Sequence, residues 1–159
     1  MQVISFINMK GGVGKTTLAT NLADCLNRRH SKRVLVLDVD PQFNCTQCLM
    51  PPEEYVEYRK NNCPTTLEIF DRPRLKASVI DGAKGKSPTE LADIEPVEFR
   101  DGLDFLPGNL ELYRLEMAPG DGREHRLKAY LKAIKADEKY DFVIIDTPPT
   151  PSVWMTSAL

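Results

Sequence analysis

Three stretches of this chain are apolar almost without interruption: Val3-Ile4-Ser5-Phe6-Ile7, Val34-Leu35-Val36-Leu37 and Phe142-Val143-Ile144-Ile145. Continuous rather than alternating apolarity predicts strands buried on both faces of a parallel sheet. Between the first two, Leu18, Ala19, Leu22, Ala23 and Leu26 recur with the spacing of one helix face. Arg28-Arg29-His30-Ser31-Lys32 then makes a basic helix end, favourable against the negative pole of the helix dipole. Strand, helix, strand is a βαβ unit, which closes with a right-handed crossover. Further along, Leu103-Asp104-Phe105-Leu106 predicts a short strand stopped by Pro107-Gly108. Leu110, Leu112, Leu115 and Met117 predict a helix ending before Pro119-Gly120, and Leu127, Tyr130, Leu131 and Ile134 predict a firmer one. The fold class expected is α/β, a mostly parallel sheet flanked by helices, in one domain over residues 1–159.

Residues 50–102 carry a weaker pattern. Pro51-Pro52, Cys63-Pro64, Arg72-Pro73, Gly82, Gly85 and Ser87-Pro88 break it into short apolar clusters around Leu67, Ile69 and Phe70, then Leu75, Val79 and Ile80, then Leu91 and Ile94. This reads as short helices strung between turns, a variable, loop-rich segment within the domain. Gly82-Ala83-Lys84-Gly85-Lys86-Ser87 has no strand before it and reads as a solvated loop.

The chemistry begins after the first strand, at Asn8-Met9-Lys10-Gly11-Gly12-Val13-Gly14-Lys15-Thr16-Thr17. A glycine-rich loop between a strand and a helix lets backbone N–H groups turn around phosphate oxygens, and the helix N-terminus adds positive potential. Lys15 is placed to reach the β- and γ-phosphates, and the Thr16 hydroxyl to ligate Mg²⁺. The usual pattern G-x-x-x-x-G-K-[ST] asks for glycine where Met9 stands. The loop fits instead the variant K-G-G-x-G-K-[ST], with a second lysine, Lys10, at its mouth.

Bulk properties narrow the setting. Hydrophobic content of 42% and charged content of 28% are ordinary for a soluble globular chain, so a single core is expected. A net charge of −2 supplies no whole-chain attraction to nucleic acid or anionic membrane, so partners of that kind need local patches. Lys128, Lys132 and Lys135 lie off the apolar stripe of their helix and read as a solvated face, with a nucleic-acid contact as the alternative. No apolar run reaches the length of a membrane span, and the N-terminus reads as a strand rather than a signal peptide. Cys45 and Cys48 form a C-x-x-C, but Cys25 and Cys63 supply no second ligand pair. All four are expected to be free, reduced and packed as small hydrophobes. A lone His30 at a helix end is expected to be structural.

The K-G-G-V-G-K-T-T loop resembles that of the deviant P-loop ATPases: ParA-type partition ATPases, the cell-division ATPase MinD, the nitrogenase iron protein and the arsenite-pump ATPase. Asp38-Val39-Asp40-Pro41-Gln42-Phe43-Asn44 resembles the D-x-D-P-Q-x-N stretch of the ParA (Soj-like) group, with Phe43 where that group usually has glycine. Leu106-Pro107-Gly108-Asn109-Leu110 and Asp141 to Pro149 agree in order, the latter resembling a Walker B strand that ends in Asp146. The iron protein would need cysteines after Cys63. The arsenite ATPase differs after its aspartate, and MinD lacks the D-P-Q run.

The resemblance implies a P-loop NTPase-type fold, ATP and Mg²⁺ as cofactors, and a cytoplasmic ATPase that dimerises on ATP and associates with the nucleoid. A ParB-like centromere-binding protein would be the partner. Non-specific DNA would be bound through surfaces that the family places mostly in its C-terminal half, and no membrane contact is expected. Implied nucleotide contacts are Lys10, Gly11, Gly12, Val13, Gly14, Lys15, Thr16 and Thr17. The metal would fall to Thr16 and Asp146 with Asp38 nearby, the attacking water to Asp40, and Lys10 would act across a dimer on the partner's phosphates. The alternatives are a MinD-like membrane-surface ATPase and a phosphate-binding piece that hydrolyses nothing. Because the family's sheet places the P-loop strand between the Walker B strand and a later one, the chain reads as an N-terminal portion. The sheet is then expected to be incomplete on its C-terminal side, with one neighbour for the P-loop strand.

Overall fold

The computed structural model describes residues 1–71, 90–116 and 122–159. Its centre is a five-stranded sheet: β1 (Gln2–Phe6), β2 (Val34–Asp38), β3 (Val97–Arg100), β4 (Leu103–Leu106) and β5 (Phe142–Asp146), in the order β1-β5-β2-β4-β3. All pairings are parallel except β3 with β4. The helices are α1 (Lys15–His30), α2 (Asn44–Leu49), α3 (Pro52–Lys60), α4 (Thr66–Phe70), α5 (Leu112–Glu116), α6 (Arg126–Ala133), α7 (Ala136–Lys139) and α8 (Val153–Ser157). Among the described residues no helix is long and apolar enough to cross a membrane.

The uninterrupted apolar runs work as expected, because successive side chains of a strand leave on opposite faces. Val34, Val36, Ile144, Leu103 and Phe105 bury one face of the sheet in a cluster with Ala19 and Ala23 of α1 and Cys45 of α2. Leu35, Leu37, Val143, Ile145 and Leu106 bury the other face against Leu67, Ile69 and Phe70 of α4, Leu127 and Tyr130 of α6 and Trp154 of α8. All five residues of β2 are buried. Alanines on α1 let that helix lie close to the strands, which brings the loop preceding it over the sheet's carboxyl end.

Three expectations change. The 50–102 segment contains a strand, β3, whose Val97-Glu98-Phe99-Arg100 alternates over only four residues. Asp101-Gly102, a pair that signals a hairpin turn, joins it to β4, with Gly102 at φ 74°. Leu110 lies outside the helix and is exposed, because that helix begins only at Leu112. The cysteines are free, but Cys48 is exposed rather than packed, lying on the outer side of the short helix α2 while Cys45 faces the core. As expected, β1 pairs with β5 alone among the described residues, which leaves Val3 47% exposed. One neighbour is the strand order anticipated from the family's sheet. The cluster Leu75, Val79 and Ile80, the Gly82–Ser87 segment, Met117 and Pro119-Gly120 lie outside the described residues.

Candidate functional site

The parallel strands β1, β5 and β2 end side by side, with Phe6 in register with Asp146 and Asp146 with Asp38. Ligands bind open α/β sheets on this side. The ladder continues past the strand ends: the Val39 amide donates to the Asp146 carbonyl (3.0 Å) and the Thr147 hydroxyl to the Phe6 carbonyl (2.6 Å).

The loop from Asn8 to Thr17 leaves β1 through a side-chain turn, the Lys10 amide donating to Asn8 Oδ1 at 2.8 Å. Gly12 and Gly14 take left-handed conformations, φ 71° and 84°, which residues with a Cβ adopt at a cost. Gly14 caps α1 and its carbonyl accepts the Leu18 amide at 2.8 Å. The backbone N–H groups from Gly11 to Thr17 find no acceptor among the described residues, and Gly11, Gly12 and Val13 are exposed. A run of amides with no protein acceptor at a helix N-terminus is suited to the oxygens of an anion. The Lys15 ammonium reaches back across the loop to the Asn8 carbonyl (3.2 Å). Lys10 is exposed, and its ammonium has no partner among the described residues.

Thr16, the second residue of α1, donates its hydroxyl to Asp146 Oδ2 at 2.6 Å. Asp146 is fully buried, and its second oxygen, Oδ1, has no hydrogen-bond partner among the described residues. Burial pushes this carboxyl up to about 6; the Thr16 hydrogen bond and the Lys15 charge pull it down, and Asp40 pushes it up. An orphaned carboxylate oxygen beside a threonine hydroxyl fits a hard cation or a water bound to one. Among the described residues no three His, Cys, Asp or Glu side chains cluster as a metal cage. That is the protein's usual share for Mg²⁺, which takes few protein ligands and completes its shell with phosphate and water.

Asp38 and Asp40 occupy different surroundings. Asp38 is fully buried and committed to protein donors: its Oδ2 accepts the Thr46 amide (2.8 Å) and hydroxyl (2.7 Å), and its Oδ1 the Asp40 amide (3.3 Å). Burial first, then Asp146 alongside, raise it to about 8. Asp40 is 5% exposed, its Oδ1 accepts the Gln42 amide at 2.8 Å, and burial raises it while Lys15 opposes. Thus Lys15, Thr16, Asp40 and Asp146 converge, Asp38 stands behind them, and Lys10 stands at the rim.

Two participants escaped the sequence reading. Thr46 sits two residues past the D-P-Q-x-N run, and Gly108, which the sequence marks only as a strand stop, lies in the Leu106–Leu110 stretch. A Cβ on Gly108 would fall 2.7 Å from Phe43 Cβ and 3.0 Å from Asp38 Cγ. Phe43 itself has φ 42°, so the glycine usual there reflects a left-handed position that phenylalanine here fills under strain.

A family model described as an AAA domain matches residues 1–159. The sporulation initiation inhibitor protein Soj of Bacillus subtilis is 36% identical over 160 residues, covering 99% of this chain and 54% of that protein. The chromosome partitioning protein ParA of Caulobacter vibrioides is 35% identical, covering 100% of this chain and 52% of its own. A crystal structure of cobyrinic acid a,c-diamide synthase from Mycobacterium smegmatis with bound ADP and magnesium superposes with a TM-score of 0.67 at 30% identity, covering 100% of this chain and 56% of that one. The chain thus spans about half the length of the curated relatives it matches. With its loop, strand order and paired Thr16 and Asp146 as described, this chain belongs to the AAA domain family and is of the ParA and Soj type.

Proposed function

We propose that the full-length protein is an ATP- and Mg²⁺-dependent partition ATPase, cytoplasmic and nucleoid-associated in its ATP-bound form. The observation that carries this reading is the Thr16–Asp146 pair with its orphaned Oδ1, set under a run of unsatisfied loop amides. The loop amides and Lys15 hold the phosphates, and Thr16 and Asp146 hold Mg²⁺, which when bound neutralises charge on the phosphate oxygens. Asp40 orients the attacking water from a loop clear of the amide run. Asp38, whose oxygens already accept protein donors, serves the metal from behind Asp146 rather than as a direct ligand. Lys10, solvent-facing and unpartnered among the described residues, reaches the other subunit's phosphates in an ATP-bound homodimer. Lysine there acts as a point charge, not as a bidentate fork. A ParB-like protein that binds centromeric DNA triggers hydrolysis, and the dimer binds DNA non-specifically.

Nucleotide with magnesium in the related diamide synthase structure supports the cofactor assignment, and the curated relatives support partition over other chemistries on the same scaffold. The test is thermal unfolding of the full-length protein with ATP–Mg²⁺ at a hundredfold excess over Kd. Stabilisation of about 2.7 kcal/mol is expected by mass action. No shift with ATP overturns the proposal.

A further inference from the structure

The Leu106–Asn109 stretch and Thr46 have no role in the chemistry proposed above, yet they close a ring around the loop that carries Asp40. The Thr46 hydroxyl donates to Asp38 Oδ2 (2.7 Å) and accepts the Gly108 amide (2.7 Å), so both its hydrogen-bonding roles are spent on two different elements. The Gly108 carbonyl accepts the Tyr55 hydroxyl of α3 at 2.9 Å. Tyr55 in turn stacks on Phe43, ring centroids 5.3 Å apart and 15° from parallel. Phe43 is the residue whose amide donates to the Asp40 carbonyl (2.8 Å). The circuit therefore runs Asp38, Thr46, Gly108, Tyr55, Phe43 and back to the loop.

We infer that Thr46 and the Gly108 turn are positioning elements that fix the Asp38–Asn44 loop, and with it Asp40, against β5. The loop is tied on entry by the Val39 amide on the Asp146 carbonyl. The bonds Asp40 accepts, from the Gln42 and Phe43 amides, are local and move with it, and its own amide donates to Asp38 Oδ1 (3.3 Å), a carboxyl that Thr46 holds in turn. On the exit side the fixed point is Thr46, and Thr46 is fixed by a turn at the end of β4. The turn is anchored independently, since the Pro107 carbonyl accepts the Thr66 amide (2.8 Å), and the Asn109 side chain donates to the Thr65 hydroxyl (3.1 Å) at the cap of α4. The Thr66 hydroxyl also donates to the Asp38 carbonyl (2.7 Å), so α4, β2 and the turn share one frame. Gly108 is required because Asp38 and Phe43 press on it from two sides. The consequence for catalysis rests on the ATPase reading above; the mechanical coupling does not.

The experiment compares wild type, Thr46→Val and Thr46→Ser. Valine keeps the branched shape and removes both hydrogen bonds of the hydroxyl, leaving the Thr46 amide on Asp38 Oδ2, whereas serine keeps the hydroxyl. Hydrogen exchange of the nucleotide-free protein reads the ring directly. In Thr46→Val, the amides of residues 40 and 42–44 and of 108–109 should exchange faster together, by roughly tenfold, with α6 unchanged, and Thr46→Ser should return both. In the full-length protein, steady-state ATP turnover should show kcat falling roughly tenfold with KM within about twofold, and recovery in Thr46→Ser. A purely structural threonine would instead lower the folded fraction and leave the surviving molecules with wild-type kcat. The inference is overturned if 108–109 stay protected while 40–44 open, if serine behaves as valine, or if kcat is unchanged. Absence of turnover in wild type would refute the ATPase reading alone, and the exchange pattern would still decide the ring.

Discussion

Replacing Gly108 by alanine should destabilise the protein through a contact that has nowhere to go. The added Cβ would sit 2.7 Å from Phe43 Cβ and 3.0 Å from both Asp38 Cγ and Oδ2. Carbon pairs are comfortable at about 3.5–4.0 Å, so the shortfall on the Phe43 side is about 1 Å. Neither neighbour is a flexible chain end. Phe43 Cβ is fixed to a backbone already at φ 42°, and the Asp38 carboxyl is pinned by the Thr46 amide and hydroxyl. Overpacking of this kind costs about 1–3 kcal/mol, and two unyielding walls place it at about 2–3 kcal/mol. In a chain of this length that lowers Tm by roughly 5–10 °C. Urea unfolding followed by Trp154 fluorescence reads it, because that indole is fully buried. A double mutant sharpens the test. Phe43→Gly alone should be nearly neutral. Release of left-handed strain, about 1–2 kcal/mol, offsets loss of the Tyr55 stack, about 0.5–1.5 kcal/mol, and glycine's extra unfolded freedom. In that background the 2.7 Å contact no longer exists, so the cost of Gly108→Ala should drop by at least about 1 kcal/mol. A Gly108→Ala penalty under about 0.5 kcal/mol, or one equal in both backgrounds, refutes the packing argument.

Stability should also fall as pH rises from about 4 towards 8. The Asp38 carboxyl moves from 3.8 unfolded to about 8 in the fold, so between those values the native state holds the extra proton and loses ground as it is removed. Asp38→Asn should flatten the slope; a wild-type urea midpoint that rises from pH 5 to pH 8 would contradict the assignment. Asp40→Ala in the full-length protein should keep ATP affinity and lose turnover, accumulating ATP-bound dimer, and a collapse of affinity measured by calorimetry would make Asp40 a binding residue instead. Lys10→Ala should leave ATP binding by the monomer intact and abolish ATP-dependent dimerisation and hydrolysis, to be checked by sedimentation with ATP; a wild-type dimer with wild-type turnover rejects its role in trans.

The strands and the phosphate loop were legible because their signals are local. Four consecutive apolar residues in β2 and β5 state burial on both faces, and glycines at 12 and 14 state the left-handed turns that any chain needs there. Asp146 could be picked out because it ends such a strand. What could not be read depends on contacts far apart in sequence. Thr46 is an ordinary helix residue until Gly108, 62 positions later, donates to it. Gly108 itself looked like a strand stop, whereas its constraint comes from Asp38 and Phe43 on another strand's loop. β3 was hidden by its length and by Glu98 and Arg100, which suit an outer strand yet read as loop.

Among the described residues the two margins of the sheet are unequal, and this governs on which side the sheet can be extended. β3 carries Glu98 and Arg100 and a register shift between them, features that discourage further pairing. β1 carries no charge and no proline, and among the described residues it pairs on one side only, beside exposed Met1 and Val3. A margin of that kind accepts one more strand, whereas the β3 margin discourages one, so the sheet can be extended in one direction only.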